Sequence, residues 1–423
     1  MTTKLSTLAE NLSGLSISGI AEQINAEIKA GAKIYNLTIG DFAPKHFPIP
    51  KLLEDAIIEA YKEKHTNYAM PGGVEELRVA ISKYLKLFGD FDYSAEEIIV
   101  GSGARPLIYI SLKTLVNSGE KIINFVPSWN NYNFIYLTEA KAVTVETKAE
   151  NNFLPTADEL KPLLADAALI TLNSPLNPAG TTFDPKMLAS IFELIIAENT
   201  RRLQLNLKPV YLLFDIIYSK LIYDDTKEIN PIKLNPLIRD YVVFIDGISK
   251  CFAATGVRIG WAFGSKAIIT KMRLIIAHIG AWAAKPEQIA LAHFLDNKTA
   301  IVDYLTNFKN ELYARLNIFY TGFLQLKQQG YKVDVIKPNG AIYLAVKIDL
   351  LGAETNDSKE ITTVTSLTSY LLKNAKVAMV PFYAFGTAKD LPWFRLSVGT
   401  CSIDDAKQAM TMLQITISRL RLT

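Results

Sequence analysis

Cysteine and histidine are scarce in this chain, and neither gathers into a pattern. The 423 residues include two cysteines, Cys251 and Cys401, and four histidines, His46, His65, His278 and His293. So few cysteines argue against a disulfide framework and suit a reducing compartment. With the histidines at no ligand spacing to the cysteines, no structural metal is expected. An excess of one charge is also missing: 45 Lys and Arg against 42 Asp and Glu leave a net charge of +3, without a basic block. That argues against a nucleic-acid partner and leaves small anionic substrates open. Long apolar runs are absent too. Stretches such as Leu274 to Ala284 are interrupted before membrane-spanning length. The segment from Met1 to Gly19 carries Glu10 and lacks an apolar core long enough for a signal peptide. The expectation is a cytoplasmic protein with no membrane partner.

What is present is ordinary globular material, 49% hydrophobic and 21% charged, enough for a large core and, by length, two or three domains. Ser18 begins a helical pattern in which Ile20, Ile24 and Ile28 recur every four residues, with Gly31 at the capping position. The apolar run Ile34 to Ile39 then meets Gly40-Asp41-Phe42-Ala43-Pro44, and the proline-rich stretch through Pro50 reads as an irregular crossing between domains. From about Leu52, helical and strand patterns alternate. Strands are predicted over Glu97 to Val100, Lys121 to Val126, Ala142 to Glu146, Ala168 to Asn173, Val210 to Asp215 and Val242 to Asp246. Several are continuously apolar, as a parallel sheet covered on both faces requires. A long helix around Ala300 to Gln329 leads to a smaller α+β portion. Its predicted strands are Ala341 to Ile348, Val377 to Val380 and Phe394 to Val398, with a helix near Val364 to Lys373.

Most of the notable polar residues directly follow strands, where open α/β sheets bind their ligands. Lys250 lies among small and apolar residues in Gly247 to Arg258. Partial desolvation there would lower its pKa and free the amine for Schiff-base chemistry. Taken alone, it reads more readily as a surface lysine after a strand. Asp215 ends a strand, where a carboxylate can hold a pyridinium nitrogen protonated, and Tyr218 could offer its phenol to the same cofactor; a loop acid and a packing tyrosine are the plain alternatives. Asn173 to Gly180 contains Asn-Pro and a nearby glycine, a rigid turn that fixes the amide of Asn177.

These segments resemble the class I/II aminotransferases of pyridoxal-5′-phosphate (PLP) fold type I. The family pattern has Asn-x-Pro-x-Asn-Pro-x-Gly after one strand, Asp-x-x-Tyr after a later one, and Ser-Lys followed eight residues on by Arg. Here these are Asn173 to Gly180, Asp215 to Tyr218, and Ser249-Lys250 with Arg258, in the family's order. The resemblance implies a large domain with a mostly parallel seven-stranded sheet between helices, spanning 51–309. It also implies a smaller α+β domain of 310–423 joined by the N-terminal segment 1–50. It further implies PLP as cofactor, with Lys250, Asp215 and Tyr218 as the catalytic set. Gly101-Ser102-Gly103-Ala104 resembles the phosphate loop, with Ser102, Gly103, Ala104 and Arg258 on the phosphate. Trp129 resembles the ring-stacking aromatic of Pro127 to Tyr132, and Asn177 the amide beside O3′. Tyr68, in Tyr68 to Arg78, resembles the tyrosine that reaches the other subunit's phosphate, which implies a homodimer with shared sites. Arg395, in Trp393 to Val398, resembles the arginine that binds the substrate α-carboxylate bidentately, with Gly40 as a backbone contact nearby. Pro338 to Tyr343 and Pro381 to Gly386 resemble segments around the substrate mouth.

The chain departs from the family at four places. Ile216 stands where Asp is often followed by Glu, Val257 replaces the Trp of Gly-Trp-Arg, and Gly40-Asp41-Phe42 lacks the common Pro-Asp pair. Phe382 replaces a glycine and is expected to narrow the mouth or shift its loop. The implied reaction is ping-pong transamination between an amino acid and a 2-oxo acid. A PLP-dependent lyase of the same fold (C–S lyase or decarboxylase) and a non-catalytic PLP-binding sensor are the rivals. Aspartate with 2-oxoglutarate is the default pair, although no convincing second arginine is evident and only Arg105 and Lys45 are candidates. Aromatic or other neutral donors fit Phe382, Tyr383 and Tyr132.

Overall fold

The computed structural model describes residues 4–12, 18–129, 131–355 and 360–422. Asn130, beside Trp129, lies outside them. Seven strands form the main sheet in the order Ile98–Gly101, Gly260–Gly264, Val242–Gly247, Tyr211–Asp215, Ala167–Asn173, Lys121–Val126 and Lys141–Glu146. All run parallel except Gly260–Gly264, which is antiparallel to both neighbours. The inner strand Val242–Gly247 is buried along its whole length, whereas the edge strand Lys141–Glu146 keeps exposed positions. That difference explains why the inner strands read as continuous apolar runs. Helices such as Ala104–Leu115, Pro185–Gln204 and Lys266–Ile279 bury apolar side chains against the sheet, at about 1.5–3 kcal/mol for each fully buried large side chain.

A second, antiparallel sheet has the order Val380–Pro381, Trp393–Ser397, Tyr343–Ile348 and Val333–Val335. The run expected as one strand over Val377 to Val380 is divided. Val377–Ala378 pairs in parallel with Tyr35–Asn36, and Val380–Pro381 joins the second sheet. This division ties the N-terminal segment to the C-terminal third. Leu37, Phe42 and Phe47 pack in the same core as Leu344, Val346 and Leu413. The 31-residue helix Lys298–Gln328 serves both cores. Ile301 and Leu305 belong to the core of the large sheet, whereas Phe308, Leu312, Leu316 and Phe323 belong to the other. Among the described residues, no helix is long and apolar enough to cross a membrane.

Candidate active site

The carboxyl ends of the large sheet's parallel strands and one strand of the small sheet converge on a single cleft. Ile98–Gly101 delivers Ser102 and Gly103, and the helix Ala104–Leu115 starts directly after them. Gly103 caps that helix at φ 85°, without any side-chain cap, so the first N–H groups remain available to an anion. A Cβ on Gly103 would collide with the Arg258 guanidinium. Arg258 donates to the Thr255 carbonyl at 2.7 Å and the Ser102 carbonyl at 3.2 Å, and among the described residues it pairs with no carboxylate. Exposed donors, a helix start and an unneutralised guanidinium together make a cradle for a phosphate dianion.

Val242–Gly247 leads into the short helix Ile248–Cys251, which carries Ser249 and Lys250. The Lys250 amine donates to the Gly40 carbonyl at 2.6 Å. Burial lowers its pKa to about 8. The Asp41 carboxylate opposes that shift, and the charges of Arg395, Arg105 and Arg258 reinforce it. Asp215 ends the neighbouring strand Tyr211–Asp215, in register with Asn173. Burial raises its carboxyl to about 6, against the Ile217 N–H donated at 3.0 Å and the Lys250 charge. Tyr218 is buried, and its hydroxyl oxygen lies 2.6 Å from that of Tyr343.

Arg395, on Trp393–Ser397, is only 2% exposed. It donates to the Asn177 side-chain oxygen at 3.0 Å and the Thr38 carbonyl at 2.6 Å, while its Nε has no partner. Rings surround the guanidinium, with Tyr343 at 4.6 Å, Phe385 at 4.8 Å and Trp129 at 5.9 Å. Among the described residues no carboxylate faces it. A buried cation with two neutral acceptors and a free N–H suits an incoming carboxylate. Asn177 is itself fixed by donating its backbone N–H to the Asn173 side chain at 2.8 Å.

The fold therefore brings Gly40, Trp129, Asn177, Asp215, Tyr218, Lys250 and Arg395 together, and the charge of Arg258, which packs against Gly103 beside Ser102 and Ala104, reaches the same Lys250. Tyr68 stands apart. It is 87% exposed, and among the described residues its ring pairs with Trp282, edge-to-face at 6.4 Å. Phe382 is not at the mouth. It is fully buried against Phe153 and Trp393, because an aromatic at that position completes a hydrophobic cluster instead of pointing outward. Arg105 is exposed over Trp129 at 5.7 Å, and Lys45 is exposed as well. Sequence reasoning missed Asp41, which accepts from Thr255 Oγ1 at 2.7 Å and opposes the loss of charge on Lys250. It also gave no individual role to Tyr343. Both sat inside segments noted above, but nothing local marked those two side chains. The residues present fit a phosphorylated pyridine aldehyde: an amine of lowered basicity, a carboxyl beside it, and a phosphate cradle that a Cβ on Gly103 would fill.

Comparison with known proteins agrees with this chemistry. Residues 32–413 match the family model described as aminotransferase class I and II. A "Probable aspartate/prephenate aminotransferase" of Rickettsia bellii is 30% identical over 390 residues, covering 91% of this chain and 92% of the relative. An "Aspartate aminotransferase" of Rhizobium meliloti is 27% identical, covering 88% and 87%. Among solved structures, the aspartate aminotransferase from Rhizobium meliloti superposes with a TM-score of 0.90 at 25% identity, covering 99% of this chain and 100% of that one. The aromatic aminotransferase from Pyrococcus horikoshii shares the fold, with a TM-score of 0.80 at 24% identity over 93% of this chain and 98% of the other.

Proposed function

The chain belongs to the class I and II aminotransferase family and is a PLP-dependent aminotransferase, and on that premise we propose that it transfers the amino group of an L-amino acid to a 2-oxo acid in a ping-pong reaction, with Lys250 as the cofactor's anchor and proton carrier. The observation that carries this reading is the pairing of a partly desolvated amine, Lys250, with a buried guanidinium that lacks an anion, Arg395. One supplies the nucleophile, and the other fixes an α-carboxylate next to it.

PLP, when bound, supplies an aldehyde to carry the amino group and a ring that withdraws electrons from the α-carbon. The remaining work falls to the chain. The Ser102–Ala104 backbone and Arg258 hold the phosphate, and the partner subunit's Tyr68 reaches the same group in a homodimer with shared sites. The strong exposure of Tyr68 supports that last assignment. Trp129 stacks on the ring, and Asn177 and Tyr218 offer hydrogen bonds to O3′. Asp215 faces the ring nitrogen and keeps the proton there, since a cation against it favours its ionised form. Ser249 precedes the lysine and lines the phosphate end. Arg395 and the Gly40 backbone orient the substrate carboxylate, and Asn177 steadies Arg395. Burial lowers the Lys250 pKa to about 8, so the neutral amine that moves the α-proton to the cofactor's C4′ becomes the major form as pH rises above 8.

A dicarboxylic pair, aspartate and 2-oxoglutarate, is the proposed substrate set. Two features support it: Arg105, which pairs with no carboxylate among the described residues and whose charge is felt at Lys250, and the relatives' names as aspartate aminotransferases. The burial of Phe382 removes one argument for aromatic donors. Two free, buried cysteines support a cytoplasmic site of action. The handover of Lys298–Gln328 between cores supports a division into 51–309 and 310–423, with 1–50 joined to the latter.

The test is the absorption spectrum of the protein with PLP, with and without a panel of amino acids. A visible band should form, be abolished by Lys250→Ala, and convert to the pyridoxamine form faster with aspartate than with phenylalanine. Products released without that conversion would instead indicate lyase chemistry.

A further inference from the structure

We infer that Tyr343 is a positioning residue of this reaction: its hydroxyl donates to Tyr218, and so orients and strengthens the proton that Tyr218 presents to the cofactor's phenolic oxygen. The inference rests on the proposed placement of Tyr218 at O3′.

The two phenols come from opposite parts of the fold. Tyr218 follows the large-sheet strand Tyr211–Asp215, whereas Tyr343 opens the small-sheet strand Tyr343–Ile348, which runs beside the strand carrying Arg395. Their rings meet edge-to-face at 5.5 Å, and their oxygens lie 2.6 Å apart. Tyr218 is 3% exposed and Tyr343 1%. A phenol taken out of water needs a partner. Among the described residues, each hydroxyl finds only the other. The backbone is also shaped around this contact. A Cβ on Gly40 would sit 2.6 Å from the Tyr343 hydroxyl, so a glycine there admits the phenol. The carbonyl of that same Gly40 accepts the Lys250 amine.

Two neutral phenols share one hydrogen bond, which leaves one proton free for a third group. Arg395 decides which. Its guanidinium lies 4.6 Å from the centre of the Tyr343 ring, and the cation draws electron density from that phenol, making it the better donor. Burial pushes both hydroxyls up, and for Tyr343 the Arg395 charge is the largest opposing influence. Asp41 from the N-terminal crossing and Asp215 from the sheet face the pair with negative charge. Lys250 Nζ lies 5.9 Å from the Tyr218 ring. The bond therefore runs from Tyr343 to Tyr218, and the Tyr218 proton is left for the cofactor. Successive hydrogen bonds of this kind polarise one another. The carboxylate end of the site and the ring end are thereby linked: an anion arriving at Arg395 weakens the pull on Tyr343 and reaches O3′ through two hydroxyls.

The test is a pH titration of the visible band of the PLP-loaded enzyme in wild type, Tyr343→Phe, Tyr218→Phe and the double variant. Donation to the phenolic oxygen stabilises its negative charge, so losing the donor raises the pH at which the band titrates. Tyr218→Phe should raise the proton affinity of the chromophore by about tenfold or more, and Tyr343→Phe by about three- to fivefold, the worth of one neutral hydrogen bond. The double variant should go no further than Tyr218→Phe, because Tyr343 acts only through Tyr218. A midpoint unmoved by Tyr343→Phe, or a double variant that adds the two shifts, overturns the inference and leaves the assignment of Tyr218 standing. A midpoint unmoved by Tyr218→Phe overturns both.

Discussion

Lys220 and Arg395 are both cations withdrawn from water near the carboxyl ends of the large sheet, and their surroundings differ in kind. Lys220 donates to both oxygens of Glu228 at 2.7 Å and to the Phe88 carbonyl at 2.6 Å, with its side chain 9% exposed. Arg395 is more deeply buried but has, among the described residues, only an amide oxygen and a carbonyl for acceptors, and its Nε is left without a partner. Withdrawing a cation from water without an anion costs several kcal/mol, whereas a well-bonded pair recovers most of that. The fold therefore balances its charge at Lys220 and leaves it unbalanced at Arg395, which suits the substrate carboxylate proposed for it. Asp246, close to the first group, represents a third arrangement: burial raises it to about 8, so it is a neutral acid at physiological pH. Matched or neutralised charges belong to the architecture, and unmatched ones mark the binding site.

The contrast can be broken or sharpened by substitution. Asp215→Asn should have the largest effect, lowering turnover by about 10²–10³-fold through loss of the charge opposite the ring nitrogen. The same change should stabilise the apoprotein. A carboxyl raised from 3.8 to about 6 by folding contributes stability below its unfolded value that is lost as pH rises through 6. The variant should thus exceed wild type by about 2 kcal/mol in denaturant unfolding at pH 8, with the gap closing by pH 4. A less stable variant at pH 8 would contradict the argument that site charges are held at a cost. Lys220→Met should do the opposite. It strands Glu228 and costs about 3 kcal/mol in stability, while activity per folded molecule changes by less than about tenfold. Loss of activity without loss of stability would place Lys220 in the reaction and erase the distinction. The smallest effect is expected from Arg395→Lys, which keeps the charge but loses the planar fork. Steady-state kinetics should show KM raised about 10- to 100-fold with kcat altered less.

Much of this was legible in the sequence because strands, strand-end residues and motif spacing are local properties. Lys121–Val126 has the bounds expected of it, and Asp215 and Lys250 were singled out from their places after such strands, whereas Arg395 came from the family resemblance. The strand Gly260–Gly264 was missed for a specific reason. Glycines at both ends argue against a strand, yet a Cβ on Gly260 would meet the backbone of Gly103 and Ala104 at 2.6–2.7 Å. The residue that weakens the strand signal is the one that lets the loop proposed for the phosphate pack onto the sheet. A conflict of that kind, where a local preference yields to a global need, falls at a functional place. The Tyr218–Tyr343 contact was illegible for another reason. It joins residues 125 apart in the chain, and no periodicity within either segment encodes the meeting. Phe382 shows the limit of reasoning from a replaced glycine, since a large side chain there turned inward.

The helix Lys298–Gln328 has a mechanical consequence. At 31 residues it is a shaft about 46 Å long, clamped by one core up to Leu305 and by the other from Phe308 onward. A tilt of about 5° at that handover carries its far end, about 30 Å away, through about 3 Å. Arg395 and Tyr343 ride on strands of the distal part, whose core Tyr218 also joins, whereas Lys250 is carried on the short helix Ile248–Cys251 that follows the large sheet. Leverage of this size is comparable to the length of a hydrogen bond, so such a tilt is enough to make or break a contact like that between the Lys250 amine and the Gly40 carbonyl.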